Sequence, residues 1–396
     1  MKKKALFVIN SLDCGGAEKS LVSLLSLFDY EKYDVYLQMF NNKGMFLNLL
    51  PCEIIVLPEI DFYQFLKLNI AKQLLSFKPD YLISRLNLTI QLKYNNLNNH
   101  KLHEAQVFWQ TCGQAVRKHQ GHYDIAFAWG QGNPTHYVAD KVEADIKLAW
   151  INADYESAGH NKAFDKKYYA KYNHIVSVSD NLLKKTKLVF PQFKDKMTCI
   201  LDIQNYELAN KMSKAKKIQP KRVGTRIVTT GRMVEIKNYV LAVEAANILK
   251  NDGYDFEWIF VGDGNDRPNV ESKIKEYGLE KQVILAGEQS NPYPYIAGAD
   301  IYVQTSKFEG YCLTLAEARM FNRPSVSTDF EIVYNQLVDG QNGLIVKMTP
   351  QAVANGIKRL ITDKVLYSHI QENLKKEKKG NAEEIEKIYQ LFNGEL

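Results

Sequence analysis

Two glutamates, Glu309 and Glu317, stand in the otherwise largely apolar run SKFEGYCLTLAEA, residues 306–318. A buried ionised carboxylate is costly unless something pairs with it. Neither glutamate has a Lys or Arg three or four residues ahead, where a helical partner would be. The partner must come from elsewhere in the fold or from a ligand. Were the run one helix, the two side chains would differ by roughly 80° in rotation and about 12 Å along the axis. Gly310 argues against continuity. Glu309 is therefore expected on the loop after the strand ADIYVQTS, and Glu317 in the second turn of a helix LTLAEARMF, so that both face one extended ligand at different heights. Carboxylates accept hydrogen bonds from the vicinal hydroxyls of a ribose or a sugar ring, which offsets their desolvation.

The stretch TGRMVEIKN, residues 230–238, carries the opposite charge. A strand ends at Thr230, Gly231 allows a sharp exit, and Arg232 and Lys237 precede the apolar helical pattern YVLAVEAANILK. Cations beside a helix N-terminus oppose its dipole, and an anion resolves the conflict. Two cations with converging backbone N–H groups suit a diphosphate; either cation alone would read as a solvated surface charge. A third candidate is DCGGAEKS, residues 13–20, directly after the first strand. Gly15 and Gly16 permit close backbone approach there, although the stretch is not the GxGxxG of dinucleotide sites. His136 and His160 are weaker candidates, for the acceptor side of a cleft.

These residues need a scaffold that brings strand ends together. Seven short apolar runs, ALFVINSL, DVYLQMF, EIIVLP, YDIAFAW, IKLAWI, HIVSVS and MTCILD, alternate with helical patterns up to residue 202. Six more, RIVTTG, WIFVGDG, VILAGE, ADIYVQTS, PSVSTD and GLIVK, follow between 226 and 347. Continuous apolar runs mark strands covered on both faces, hence parallel sheets of a doubly wound α/β fold. The expectation is α/β with two Rossmann-like domains facing across a cleft. The first domain is placed at 1–212, a Lys-rich linker at 213–224, the second domain at 225–375, and a C-terminal helix at 376–396 that crosses back to the first. The 61–118 segment combines Phe, Leu and Ile with Lys67, Lys72, Lys78, Arg85, Lys93 and Lys101. It reads as a helical insertion packed on the sheet, or as a basic, aromatic-bearing face for anionic lipid headgroups.

Composition bounds the rest. At 396 residues the chain exceeds what one core usually supports, and 45% hydrophobic with 24% charged residues is an ordinary globular mix. Five scattered cysteines without a CxxC pair argue against a disulfide framework or zinc site, and for a reducing cytoplasm. The N-terminal ALFVI is broken by Asn10 and Asp13 and reads as a strand instead of a signal peptide. No apolar run reaches the roughly 20 residues of a membrane span. A net charge of +6 is too mild to point to nucleic acid.

The constellation of GGAE near the N-terminus, GR with Lys five residues after the Arg, and EGYCLTLAEA with its E-x7-E spacing resembles the retaining GT-B glycosyltransferases of family 4, the group 1 type found in bacterial surface-polysaccharide synthesis. The resemblance is strongest over about 225–346 and extends more loosely over most of the chain. It implies an acceptor-binding first domain and a nucleotide-sugar-binding second one. Glu317 then binds the ribose hydroxyls and Glu309 contacts the transferred sugar without acting as a covalent nucleophile. The backbone of Gly310, Tyr311, Cys312 and Leu313 holds sugar and phosphate, Arg232 and Lys237 grip the diphosphate, and Gly231 and Gly287 lie at the nucleotide-sugar side. The Gly15–Gly16 turn approaches from the other domain. Family members usually use no metal, matching the lack of a DxD motif, and the nucleotide sugar is a substrate, so no cofactor is expected.

Several positions depart from the family pattern. Asn152 stands in WINAD where WIHxD is common, and Gln131 where an acid is frequent; with Asp154 they are assigned to the acceptor or sugar side. An amide hydrogen-bonds a hydroxyl but does not shift protons. Tyr311 and Cys312 replace commoner residues, with Cys312 read as a small packing group. The expected activity is retaining, metal-independent transfer of a hexose or N-acetylhexosamine from a UDP-linked donor. The expected acceptor is a glycan, lipid-linked at the inner leaflet, with the enzyme cytoplasmic or peripheral at the inner face of the membrane. The alternative is a catalytically quiet GT-B subunit that binds glycan or stabilises a partner enzyme; an epimerase would instead form product without acceptor.

Overall fold

The computed structural model describes residues 2–13, 15–97, 101–215 and 224–395. They form two compact units, Met1–Asp202 with Glu383–Leu396, and Ile203–Ala382. The first unit contains β1 (Lys3–Ile9), β2 (Tyr33–Met39), β3 (Ile55–Val56), β4 (His122–Trp129), β5 (Glu143–Ile151), β6 (His174–Ser177) and β7 (Met197–Cys199). The second contains β8 (Thr225–Thr230), β9 (Phe256–Val261), β10 (Val283–Gly287), β11 (Ile301–Gln304), β12 (Ser325–Thr328) and β13 (Leu344–Val346). Every apolar run singled out in the sequence supplies one of these strands, and the fold class is the α/β one expected from them.

The strand orders are β3-β2-β1-β4-β5-β6-β7 and β10-β9-β8-β11-β12-β13, with parallel pairing throughout. Order reverses beside β1 in one sheet and beside β8 in the other. Such switch points leave a crevice beyond the strands' carboxyl ends, because the neighbouring crossover helices go to opposite faces. The loops after β1, β4, β8 and β11 are therefore the places to look for chemistry.

In the first unit Phe7 of β1 faces Phe127 of β4 in register, and the rings stack at 4.2 Å; Trp129 and Trp150 repeat this between β4 and β5 at 4.3 Å. The helix Glu384–Asn393 completes this core by setting Phe392 against Phe28, Tyr33 and Phe127. In the second unit the helices Tyr239–Asn251 and Pro350–Thr362 bury Leu241, Ala245, Val353 and Ile357 with Trp258 and Val326. Residues 61–112 form four helices, Asp61–Lys67, Ile70–Leu75, Pro79–Leu97 and Glu104–Cys112.

The unit boundary differs from the sequence expectation. The first unit's main run ends at Asp202, not at 212, because the helix Tyr206–Ala215 packs within the second unit, where Asn291 Nδ2 donates to Met212 O at 2.7 Å. The first three residues of the expected linker, 213–215, finish that helix, and its residues 216–223 lie outside the described residues.

Candidate functional site

At the end of β8 the chain turns at Gly231, whose N–H donates to Val261 O at 2.9 Å. Gly262, at φ +144°, lies so close that a Cβ there would meet Gly231 O at 1.9 Å. This contact draws the loops after β8 and β9 together. Arg232 emerges exposed. A 3-10 turn, Glu235–Lys237, and a left-handed Asn238 then redirect the chain into the helix Tyr239–Asn251. Lys307 N donates to Ile236 O at 2.8 Å and Thr305 Oγ1 to Lys237 O at 3.0 Å, which fastens this loop to the end of β11.

The partner of Glu309 is Lys237. The ammonium donates to both carboxylate oxygens, at 2.6 and 2.7 Å, across 72 residues of sequence. Ser306 Oγ and Gln304 Nε2 donate to the same carboxylate, at 2.5 and 2.9 Å. Gln304 also donates to Ser306 Oγ at 2.6 Å and accepts from the hydroxyls of Tyr302 (2.9 Å) and Thr314 (3.2 Å). A single buried amide thus ties β11, the carboxylate and the next helix together. Burial works against the charged form of Lys237, but the Glu309 carboxylate outweighs it and raises the pKa above the ordinary lysine value. Arg232 is close enough for its charge to oppose that of Lys237, and its guanidinium has no hydrogen bond or ion pair to the described residues. The site thus holds one neutralised and one unneutralised cation.

After Glu309 the chain passes Gly310 and Tyr311 to Cys312, which is left-handed at φ +65° and opens the helix Leu313–Met320 without a side-chain cap. Gln336 Nε2 donates to the carbonyls of Tyr311 and Cys312 and fixes the turn. The helix start leaves its first amides pointing along the axis, where an anion would be favoured. Burial, then the negative charge of Glu309, push the Cys312 thiol well above its ordinary value, so it stays protonated and acts in packing. Glu317 is in the second turn, 1% exposed. Its charge and a hydrogen bond reach the Tyr293 hydroxyl, whose pKa is raised first by burial and then by that carboxylate. Glu317 also adds, after burial and other groups, to the raised pKa of Tyr302, placing it beside the Gln304 network. Gly287, at the end of β10 with φ +68°, accepts from Gly262 N at 2.8 Å and has open space where a side chain would be.

In the first unit, Gly15 precedes the helix Gly16–Leu25, and a Cβ on Gly15 would meet the Glu18 carboxylate at 2.0 Å. Trp129 Nε1, at the end of β4, donates to Ala17 O at 2.8 Å, so the β1 turn and the β4 tip are held side by side at the switch point. Cys14 lies outside the described residues.

The remaining first-unit candidates, Gln131, Asn152 and Asp154, lie after β4 and β5 and make hydrogen bonds within the first unit. Gln131 donates to Ala153 O at 2.9 Å and accepts from the amides of Asn152 and Ala153, clamping the chain after β5. Asp154 accepts from the amides of Glu156 and Ser157 and pairs with Lys185 at 3.2 Å. Asn152 keeps a buried Oδ1 without a hydrogen-bond partner in the protein. His136 is fully buried on Asp165 at 2.7 Å, and Asp165 also accepts from Tyr155, so this histidine is part of the core instead of a cleft wall. Burial lowers the pKa of His160 to about 4 and keeps it neutral.

Sequence reasoning missed the pairing of Lys237 with Glu309 and the roles of Gln304, Ser306 and Tyr293. A polar Gln-Thr-Ser at the end of an otherwise apolar strand, five to three residues before Glu309, is the signal that could have found the first two.

Residues 210–377 match the family described as glycosyl transferases group 1. Among curated proteins, the chain is 24% identical over 383 residues to the N-acetylgalactosamine-N,N'-diacetylbacillosaminyl-diphospho-undecaprenol 4-alpha-N-acetylgalactosaminyltransferase of Campylobacter jejuni, covering 92% of this chain and 91% of that one. It is 29% identical to the poly(ribitol-phosphate) alpha-N-acetylglucosaminyltransferase of Staphylococcus aureus over 41% of this chain and 34% of that enzyme. Among solved structures, Anabaena HepE in complex with UDP-glucose superposes with a TM-score of 0.70 at 16% identity, covering 99% of this chain and 100% of that one. The two-sheet architecture is thus the GT-B fold.

Proposed function

With residues 210–377 placed among the glycosyl transferases group 1, we propose that the chain moves a hexose or N-acetylhexosamine from a UDP-linked donor to a lipid-linked glycan with retention of configuration, in bacterial surface-polysaccharide synthesis. The observation that carries this reading is the arrangement at the ends of β8 and β11: Lys237 held by Glu309, with the unneutralised Arg232 beside it. An ammonium has three N–H bonds, and Glu309 takes two of them. The third is left for a phosphate oxygen, and Arg232 supplies a planar donor pair for another. The lipid-linked acceptor is supported by the activity for which the C. jejuni relative is named, and the UDP donor by the ligand of the HepE structure.

In this reading Glu317 accepts from ribose hydroxyls, and Glu309 aligns the transferred sugar while fixing Lys237. The helix start at Cys312 and Leu313 faces the phosphates with its free amides, with Gly310, Tyr311, Gly231 and Gly287 forming the wall around the donor. The bond from the anomeric carbon to the diphosphate oxygen breaks as the acceptor hydroxyl arrives from the same side, and a departing phosphate oxygen takes the hydroxyl proton. Arg232 and Lys237 stabilise the negative charge that grows on UDP, so the scheme needs neither a protein nucleophile nor a metal.

The test is UDP release measured with a panel of nucleotide sugars, with and without a polyprenyl-diphosphate glycan. Turnover with one UDP-sugar that requires the acceptor is expected. Background rates with every donor would point to the catalytically quiet subunit, and product without acceptor to an epimerase.

A further inference from the structure

Among the described residues, ten of the eighteen exposed large hydrophobic side chains fall between Leu68 and Leu97. On the helix Pro79–Leu97, Ile83, Leu86, Ile90, Tyr94 and Leu97 are all more than half exposed. At about 100° per residue they fall within one stripe roughly 80° wide and about 21 Å long. The opposite face is anchored. Tyr81 is buried against Phe62 and Phe65, and the buried Asn95 exchanges hydrogen bonds with the backbone of Leu102. The outward stripe is therefore an ordered feature of the helix.

The turn leading into this helix extends the surface. Leu74 and Leu75 are 61% and 71% exposed, and Phe77 is 88% exposed with φ +51°. A left-handed phenylalanine is unfavourable where glycine or asparagine would serve without strain, and here the turn presents an aromatic ring to the outside. From residue 61 to residue 101 the sequence has six Lys or Arg against two acids, a net charge of +4. Lys67 pairs with Glu59 and Arg85 bonds Leu66 O, whereas Lys72, Lys93 and Lys101 are exposed with no ion-pair partner among the described residues. No helix among the described residues is long and apolar enough to cross a membrane.

We propose that the turn at Phe77 and the outward stripe of the helix Pro79–Leu97 form a docking surface for an anionic lipid bilayer, with the apolar side chains entering the headgroup boundary and the free lysines contacting acidic headgroups. Apolar insertion combined with basic flanks is what such interfaces require. A second copy of the chain fits less well, since a twofold interface would set the exposed Lys72, Lys93 and Lys101 against their own copies. Docking would bring the enzyme to a lipid-linked acceptor, a purpose that rests on the transfer reading above, while the surface itself is set by residues of the first unit alone.

The test is flotation of the full-length protein, without nucleotide sugar, on vesicles of phosphatidylcholine alone or mixed with phosphatidylglycerol. Wild-type protein is expected to float with the mixed vesicles and to be released by salt. Phe77→Gly, which relieves the strained turn, combined with Ile90→Asp should lower the bound fraction by about tenfold or more. Lys72→Glu with Lys93→Glu should remove the preference for the anionic lipid. UDP release with a soluble acceptor analogue should be unchanged in these variants, so loss of docking and loss of donor chemistry are read separately. Wild-type protein left in solution, or variants that float as well as wild type, would overturn the proposal. So would a lipid-free dimer that the same substitutions dissociate.

Discussion

At the scale of single residues, one charge pair does two things. Lys237 and Glu309 have side chains 22% and 8% exposed, so each carries a real desolvation penalty that the other offsets. Removing one member leaves a buried charge without its partner. Lys237→Met should therefore lower stability by about 3 kcal/mol, measured by urea unfolding, and adding Glu309→Gln should recover most of that loss. Activity should be absent in both single variants and remain absent in the double. If stability and turnover recovered together, the pair would be structural only. The sequence showed the carboxylates and cations as candidates because their neighbours are apolar. It did not show that they meet, since a contact across 72 residues is set by strand order and not by local spacing. Gln131 and Asp154 show a related limit: the hydrogen bonds by which a polar residue at a strand end fastens its own turn are not legible from spacing.

At the scale of elements, the thirteen strands were legible because buried parallel strands have an unambiguous pattern, and the site positions followed from their carboxyl ends. The helix Tyr206–Ala215 was assigned to the wrong unit because its amphipathic pattern says that it packs and not on what. Burial of a polar group between elements was equally hidden. Asp202, the last residue of the first unit's main run, is 6% exposed near Ser20 of the helix Gly16–Leu25, and burial raises its pKa to about 7. The folded state then holds a proton that the unfolded chain releases near pH 4. This contribution to stability is full below that pH and is lost as pH rises through about 7, at up to roughly 1.4 kcal/mol per pH unit. Denaturation followed across this range should show the decline in wild type and a flatter profile in Asp202→Asn, with the variant the more stable above pH 7. Parallel profiles would show that Asp202 is ionised in the fold.

At the scale of the whole molecule, two doubly wound units divide the chain, and the donor chemistry proposed here resides in one of them. The central claim is that Arg232 and Lys237 recognise the diphosphate while Glu317 recognises the ribose. Calorimetric titration of UDP and of uridine into the full-length protein separates these directly. The account predicts that Arg232→Ala weakens UDP by about tenfold or more, consistent with one charge-assisted contact of roughly 1.5–3 kcal/mol, and leaves uridine unchanged, whereas Glu317→Ala weakens both. UDP binding to Arg232→Ala with wild-type affinity, or uridine binding indifferent to Glu317→Ala, would contradict it.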